Sequence, residues 1–499
     1  MTTVDAPGDG APGTTRALDL HPPGAVRWIV EKLEEAGHEA WAVGGAIRDA
    51  LAGRPSGDWD ITTAARPRQV RKLFPRTVPI GMDHGTVGIL ARDGILYEVT
   101  TFRRDVETTG RHAVVEFADG VEEDLARRDF TINAVAWHPL RKELHDPFGG
   151  ASDLAQGVLR TVGNPTERFQ EDFLRVLRAL RFAGTFALRV EPATWDALVA
   201  QAAGIRTLSA ERIREELEKI LSGVQPPSRA LSLYACAGCR DRVLRELAGS
   251  EGVTRRPEAG DDPGPEEHPA TSIQGTLRDD VWSHALRAVD LLPPNRTDLR
   301  LAALLRASAF IPEDRIQEDP APSGASLQRR GALRAAAALE RLRFSNAWIR
   351  QVAEGVEASL RPLPESPEGS AVRRWMHHVG PHHWRVALRL RLAAARADAV
   401  RHPEASGLRH LLHFRSRVSR EALAQPPLEL KDLAVGGSDL KALGLRPGPR
   451  FKDILQHLLD TVLEEPELNH PQELRQQAEA YARREGLLGD ESAHPSEGA

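Results

Sequence analysis

The sequence predicts an α+β fold, a small mixed sheet with helices followed by an all-α remainder, and three observations predict it. Aromatic residues make up only 5% of the 499 positions, whereas Ala, Arg and Leu are abundant, a composition that favours helices over an all-β architecture. Short runs in which apolar and polar residues alternate are confined to the first 150 positions. From about residue 165 onward nearly every segment repeats its apolar residues with helical spacing.

Taken in order, residues 1–24 are rich in Gly, Pro and Thr and read as a disordered tail. "AVRWIVEKLEEAG" (25–37) has the apolar period of a helix and ends on a glycine. "EAWAVGG" reads as a short strand running into a turn, and "RPRQVRKLF" as a helix. "TVGILA", "ILYEVTTF" and "HAVVEFA" alternate like strands, and "EDLARRDFTINAVAWHP" opens like a helix with acidic residues near its start. A mixed head over 25–150 follows, then a helical neck over 151–248. Residues 249–278 form a Pro/Gly/acidic linker. Helical segments fill 279–410 and 411–485, with a loop near 311–326, and 486–499 read as a second disordered end. No regular internal repeat is present.

The formal net charge of -5 gives no whole-chain argument for nucleic acid. The acidic residues concentrate in "PEAGDDPGPEEHP" (257–269) and the last fifteen positions, which leaves a more basic, arginine-rich body, so any polyanion-binding face is a local patch. Cys236 and Cys239 form a single CxxC, with no second pair to complete a zinc site and no disulfide framework. The N-terminus lacks the pattern of a signal peptide and no stretch of 18 apolar residues exists, so a cytoplasmic protein is expected.

Chemistry concentrates in "AWAVGGAIRDALAGRPSGDWDITTAARP" (40–67). Asp58 and Asp60, two residues apart on a strand, would point the same way. Such a pair is costly unless a cation lies between them, and oxygen ligands suit Mg²⁺. Taken alone the two remain readable as plain loop carboxylates. Gly44 and Gly45 follow a strand, where backbone N–H groups approach a phosphate, and Arg48 stands three residues on to clamp it. Metal ligands beside a phosphate cradle indicate phosphoryl or nucleotidyl transfer. The loop matches neither GxxxxGK[ST] nor GxGxxG, which excludes a P-loop and leaves a Rossmann site unsupported.

"GGAIRDALAGRPSGDWDITT" closely resembles the first motif of class II tRNA nucleotidyltransferases and bacterial poly(A) polymerases, members of the polymerase β-like superfamily. "RRDFTINA" (127–134) resembles the second motif, and "NPTERFQEDFLRVLRALRFA" the neck, with an EDxxRxxR signature from Glu171 to Arg178. "ERIREEL" (211–217) looks like the next helix of the family. The resemblance covers about 25–245 and implies a polymerase β-like nucleotidyltransferase head before an all-α neck, body and tail. It implies that Asp58 and Asp60 hold two Mg²⁺ ions, that Glu98 in "LYEVTTFR" supplies the third carboxylate, and that Arg128 and Asp129 contact triphosphate and ribose. A buried Arg–Asp pair is the structural alternative for those two.

In the neck, Asp172, Arg175, Arg178 and Arg181 recur every three residues on an expected helix, with Asp172 and Arg175 adjacent. An ion-paired solvated face is one reading. The other follows from base edges: cytosine and adenine each present an amino donor beside a ring-nitrogen acceptor. Aspartate can accept from the first while arginine donates to the second; guanine and uracil present the reverse. Asp172 with Arg175 therefore predicts acceptance of CTP and ATP, the template role the resemblance also implies, with Arg178 and Arg181 serving the triphosphate or holding the template. "DVETTGRHAVVEF" resembles the flexible loop of many full CCA-adding members, which makes Arg104, Asp105 and Arg111 candidates for the switch from C to A.

"DVWSHALRAVDLLPPNRTDLRLAALLRASAF" resembles the start of an HD phosphohydrolase domain. His284 matches the first ligand, but Arg306-Ala307 stands where His-Asp is expected, "SGASLQRRGALRA" replaces the next ligand segment, and Asp398 is a last remnant. A degenerate helical domain without metal is expected. Gly436-Gly437 reads as a helix cap rather than a phosphate site, and "HHVGPHH" (377–383) as a helix–turn–helix rather than a metal site. The expected activity is template-independent CCA addition to tRNA 3′ ends from CTP and ATP, without an obligate protein partner. CC- or A-only addition and poly(A) polymerisation are the alternatives; a poly(A) polymerase would end in a basic tail, whereas this chain ends "DESAHPSEGA".

Overall fold

A computed structural model describes residues 16–17, 20–55, 57–82, 85–109, 112–253, 280–316, 319–400 and 407–488. The expected linker and C-terminal end lie largely outside these residues, as does most of the N-terminal tail. Packing divides the chain into two units near residue 245.

The first unit opens with β1 (Arg16–Ala17), α1 (Gly24–Glu35), β2 (Ala40–Val43), α2 (Gly45–Leu51), β3 (Asp60–Thr63) and α3 (Pro67–Leu73). Strands β4 (Thr77–Gly81), β5 (Thr86–Leu90), β6 (Leu96–Thr101), β7 (Arg103–Thr109) and β8 (His112–Phe117) follow. Then come α4 (Val121–Ala126), β9 (Ala136–His138), β10 (Glu143–His145), α5 (Gly150–Ala155) and β11 (Val158–Leu159). The neck consists of α6 (Pro165–Glu171), α7 (Leu174–Phe186), β12 (Arg189–Val190), α8 (Pro192–Gln201), α9 (Ala210–Ser222), α10 (Pro227–Cys236) and α11 (Arg240–Val243).

Eight strands form one mixed sheet in the order β1-β10-β9-β2-β3-β6-β5-β4. Its pairs are antiparallel except β3 with β6, where Ile61 faces Val99. β1 arises inside the segment read as a tail, because the edge of β10 offers Arg16 and Ala17 unpaired backbone groups to bond.

Alternation decides the two faces. Ala40, Ala42, Ile61, Val87, Ile89, Tyr97 and Val99 point to one side and are buried with Val26, Ile29, Val30 and Leu33 of α1 and Val70 of α3. On the other side Trp41, Val43 and Ala136 pack with Val121 and Leu125 of α4, which covers the β2/β9 end. The β6–β5–β4 end of that second face carries exposed residues, including Leu96 and Glu98.

The second unit is helical: α12 (Val281–Asp290), α13 (Thr297–Arg306), α14 (Leu327–Arg341), α15 (Asn346–Leu360), α16 (Gly369–Val379), α17 (Trp384–Ala399), α18 (Gly407–Leu423), α19 (Gly437–Ala442), α20 (Arg450–Glu464) and α21 (Pro471–Arg484). One core joins Trp375, Trp384, Leu388, Phe414, Leu458 and Leu474, so packing runs without a break across the boundary expected at 410. No helix among the described residues is long and apolar enough to cross a membrane.

Gly150, first residue of α5, fixes how closely that helix approaches the turn at Thr131–Asn133: a Cβ there would overlap the Thr131 carbonyl. Gly150→Ala should therefore push α5 off this turn and cost about 1–3 kcal/mol, read as a fall in the urea midpoint of the intact chain.

Candidate active site

Val43, the last residue of β2, pairs with Asp60, the first of β3. The chain leaves β2 through Gly44, whose φ of 80° is a conformation other residues rarely adopt. A Cβ at Gly44 would come within 3.3 Å of Arg128 Nη1 and 3.4 Å of Asp60 Oδ2. Gly44, Asp60 and Arg128 thus surround one point, and the missing side chain keeps the backbone open there. Gly45 faces Arg48, with 3.5 Å between its Cβ direction and Nη2.

The two aspartates are not both on a strand, as the spacing alone suggested. β3 begins only at Asp60, because the loop through Pro55 and Gly57 delivers Asp58 as exposed coil; buried Trp59 separates them and preserves the alternation. The register of β3 on β6 places Glu98 beside Asp60. Burial, then Asp58 and Glu98, push the Asp60 carboxyl up to about 6, against the opposing pull of Arg128. Asp58 and Glu98 therefore both act on Asp60 electrostatically. The three do not close into a compact ligand set: among the described residues no three His, Cys, Asp or Glu side chains are grouped tightly enough to hold an ion. The donor chemistry nonetheless suits a hard divalent cation, since a positive charge offsets the burial and the repulsion that raise Asp60.

Arg48 does not point freely toward a phosphate. Its Nε and Nη2 bond Asp49 Oδ1 at 2.9 and 2.8 Å, its Nη1 donates to Asn133 Oδ1 at 2.8 Å, and its guanidinium lies 4.9 and 4.6 Å from the Phe182 and Phe186 ring centroids. It braces the glycine turn against α7. Asp129 does not pair with its neighbour Arg128, which instead reaches Asp124 at 3.3 Å. Asp129 takes Arg178 Nη2 at 2.6 Å, the Asn133 amide at 2.9 Å and the Phe130 N–H at 2.9 Å. Burial would raise its carboxyl, but Arg178 and these donors outweigh that and hold it below the usual carboxylate range. Asn133 links Arg48 to Asp129; it stands inside "RRDFTINA", but an asparagine among apolar residues carries no signal of its own in a single sequence.

The neck departs from a continuous helical ridge. α6 ends at Glu171 and Asp172 is extended (φ -154°, ψ 107°), so Asp172 and Arg175 do not share a helix. They are close in the chain, and the Arg175 N–H donates to the Asp172 carbonyl at 3.0 Å, but their side chains have other partners. Asp172 accepts from Arg212 at 2.6 and 3.1 Å, and Arg175 pairs with Glu171 and donates to the Arg168 carbonyl at 2.9 Å. Arg181 bonds buried Glu216 at 2.6 Å and lies 4.2 Å from the Phe182 ring centroid. Arg212 and Glu216 lie in the "ERIREEL" helix, whose fourfold charge spacing was visible but whose partners were not.

Of the hairpin residues, Arg104 pairs with Glu116 at 3.0 Å and Glu123 at 3.5 Å on an exposed surface. The side chain of Asp105, and Arg111 altogether, lie outside the described residues. In the second unit His284 Nε2 lies 3.1 Å from Asp398 Oδ1 and 3.1 Å from the Ala394 carbonyl, and Arg306 lines the same small cavity. The Gly436 N–H is capped by Asp439 at 2.9 Å, and His377 Nδ1 lies 2.7 Å from the Leu428 carbonyl. Burial pushes the Cys239 thiol up to about 12, while Cys236 is exposed.

Residues 40–160 match the poly A polymerase head domain, and 187–237 match a module described as a probable RNA and SrmB-binding site of polymerase A. A CCA-adding enzyme from Anoxybacillus flavithermus is 47% identical over 197 residues, 39% of this chain and 49% of that one. The CCA-adding enzyme of Geobacillus stearothermophilus is 37% identical over 313 residues, 60% of this chain and 74% of that one. The chain belongs to the CCA-adding enzyme family. The crystal structure of the Bacillus stearothermophilus CCA-adding enzyme in complex with CTP superposes with a TM-score of 0.67 at 28% identity, covering 94% of this chain and all of that one. In sequence, the chain spans about half the length of several curated CCA-adding enzymes it matches. Membership of the CCA-adding enzyme family implies use of a divalent metal.

The raised Asp60 carboxyl has a measurable consequence. Its folded value lies above the ordinary 3.8, so the stability it contributes is fully present below that value and lost as pH rises to about 6. With divalent ions chelated, Asp60→Asn should melt above the wild type at pH 7–8, the two curves converging below pH 4. Adding Mg²⁺ should raise the wild-type melting temperature and leave the variant unmoved.

Proposed function

We propose that this chain adds CCA to the 3′ ends of tRNA, transferring nucleotides from CTP and ATP and releasing pyrophosphate. One observation carries the reading: Gly44, Asp60 and Arg128 converge on a point flanked by Asp58 and Glu98. An open backbone and a guanidinium suit a triphosphate, and the carboxylates beside them suit Mg²⁺. Asp58 and Asp60, with Glu98, would hold the metal; when bound, it supplies positive charge to the attacking and leaving oxygens of an in-line displacement. The RNA 3′-oxygen forms the new bond to the α-phosphorus, the bond to the pyrophosphate oxygen breaks, and the hydroxyl proton passes to water. Gly44, Gly45 and Arg128 orient the triphosphate, and Asp129, pinned by Arg178, faces the ribose. Arg48 holds the glycine turn in place.

Asp172 and Arg175 read the base. Asp172 Oδ1 is filled by Arg212 and the Leu174 N–H, whereas Oδ2 bonds Arg212 alone and keeps a second lone pair with which to accept an amino group. Arg175, set by Glu171, donates to the ring nitrogen, and Arg178 and Arg181 anchor the turn that presents the pair. The second unit supports an RNA partner. Between Trp384 and Leu423 nine arginines face three carboxylates. Arg385, Arg389 and Arg396 run along one side of α17, and Arg409, Arg417 and Arg420 stand exposed on α18. Among the described residues these six form no ion pair. Phosphates are the natural complement, and tRNA shape rather than sequence would select the substrate.

Extension at single-nucleotide resolution tests the reading, with tRNA transcripts ending before CCA, after C and after CC. Complete CCA on the shortest transcript, with GTP and UTP refused, is expected. Addition of CC alone, or of one A alone, assigns half of the reaction; long A tails on unrelated RNA assign a poly(A) polymerase; no incorporation with Mg²⁺ present overturns nucleotidyl transfer. Asp172→Asn should lower kcat/KM for CTP and ATP by about 10- to 100-fold and narrow the margin over UTP and GTP.

A further inference from the structure

Asp60, Glu98, Leu96 and Ile80 face one side of the sheet. Glu98 lies beside Asp60 through the parallel register of β3 and β6, and Leu96 is two residues from Glu98 on the same strand. Gly88 of β5 stands directly opposite Glu98. A Cβ on Gly88 would lie 2.6 Å from Ile80 Cδ1 and 3.0 Å from Leu96 Cδ1, so those side chains close over the glycine on the Glu98 side. Ile80 is 44% exposed and Leu96 43%; Val78, paired with Gly88, is 42% exposed. Three large apolar side chains thus form a shelf in water next to carboxylates, which is a surface that waits for a partner.

The sheet order names the partner. Across β2-β3-β6-β5-β4, Gly44 and Arg128 flank Asp60 on the β2 side and the shelf flanks Glu98 on the β5–β4 side. In an in-line displacement the attacking oxygen approaches opposite the leaving group. With the triphosphate on the β2 side, the nucleotide carrying that oxygen lies on the other. Leu96 is about 7 Å along the strand from Glu98, and Ile80 two strands, about 10 Å, away, distances that the base of that nucleotide spans. We propose that Ile80, Leu96 and Val78 hold the base of the 3′-terminal nucleotide of the RNA acceptor. The proposal rests on the nucleotidyl-transfer reading. An apolar platform stacks any base without reading it. That tolerance is what CCA addition requires, because the acceptor end changes after every step.

Ile80→Ser/Leu96→Ser in the full chain tests it, with separate KM values for acceptor RNA and for CTP, and with acceptors whose terminal nucleotide is normal or abasic. The variant should raise the KM for normal acceptor about tenfold with the KM for CTP unchanged. The abasic acceptor should cost the wild type a similar factor and the variant little more, and Leu96→Phe should restore or tighten acceptor binding. An equal loss on normal and abasic acceptors overturns the proposal. So does a rise confined to the KM for CTP, which would place the incoming base on the shelf. A lower melting temperature with unchanged KM also overturns it, since the shelf then serves only packing. Fluorescence anisotropy of labelled acceptor RNA separates the two readings: if no nucleotide is incorporated but the variant still loses affinity only for the acceptor with its terminal base, nucleotidyl transfer fails and the shelf stands.

Discussion

The buried carboxylate of Asp129 organises the first unit. A charge removed from water at this depth persists only when its lone pairs are filled, and removing one partner from such a group costs about 3–5 kcal/mol. Its donors are the Phe130 backbone, Asn133 of the following turn and Arg178 on α7, so one carboxylate ties the second motif to the neck. Asn133 passes the constraint on: its side-chain oxygen accepts from Arg48, and Arg48 packs on Phe182 and Phe186 of the same helix. The glycine turn, the second motif and the neck are thereby held in one arrangement. Arg178 is kept charged against its own burial by Asp129 and Glu216.

The sheet supplies the complementary device. One face is buried under α1 and α3, and the other is covered only at its β2/β9 end. Ionisable groups gather where covered and open surface meet. Asp60 is half-buried there, which is why its carboxyl rises, while Asp58 and Glu98 stay in water on either side. Deeper burial would keep all three neutral and useless for a cation; full exposure would screen their mutual repulsion and weaken the drive to bind one.

Much of this was legible in the sequence, and the boundary of legibility is physical. Alternation located β5, β6 and β8, and the glycine-terminated apolar period located α1. The three-residue strands β9 and β10 and the two-residue β1 were not separable, because a period of two needs more than three residues to register. Within the site, the fold brings Gly44, Asp60 and Arg128 around one point with Glu98 beside Asp60. The pairing of buried charges was not readable. Asp129 takes Arg178, 49 positions away, rather than adjacent Arg128, and Asp172 takes Arg212, 40 positions away, rather than Arg175. Sequence spacing describes neighbours on one element; such partners are set by how helices cross. The break at Asp172 was hidden for a related reason, since the residues on both sides keep a helical period.

That break bears on the role proposed for Asp172. On a helix, its side chain would lie on the ridge it shared with Arg175; as an extended residue between α6 and α7 it accepts from the Leu174 N–H through Oδ1 and is held by Arg212 from a third helix, which leaves Oδ2 the more open oxygen. The Asp172–Arg212 pair is about one-fifth to one-quarter exposed on each side. That access to water weakens the pair relative to a buried one, so turning Oδ2 toward a base costs less than separating a buried pair. Asp129–Arg178 is the opposite case, with its carboxylate buried and a large penalty for separation. One arginine–aspartate pair therefore fixes the frame while the other is the more readily turned, a division of labour that suits the proposed acceptance of a pyrimidine and a purine in turn.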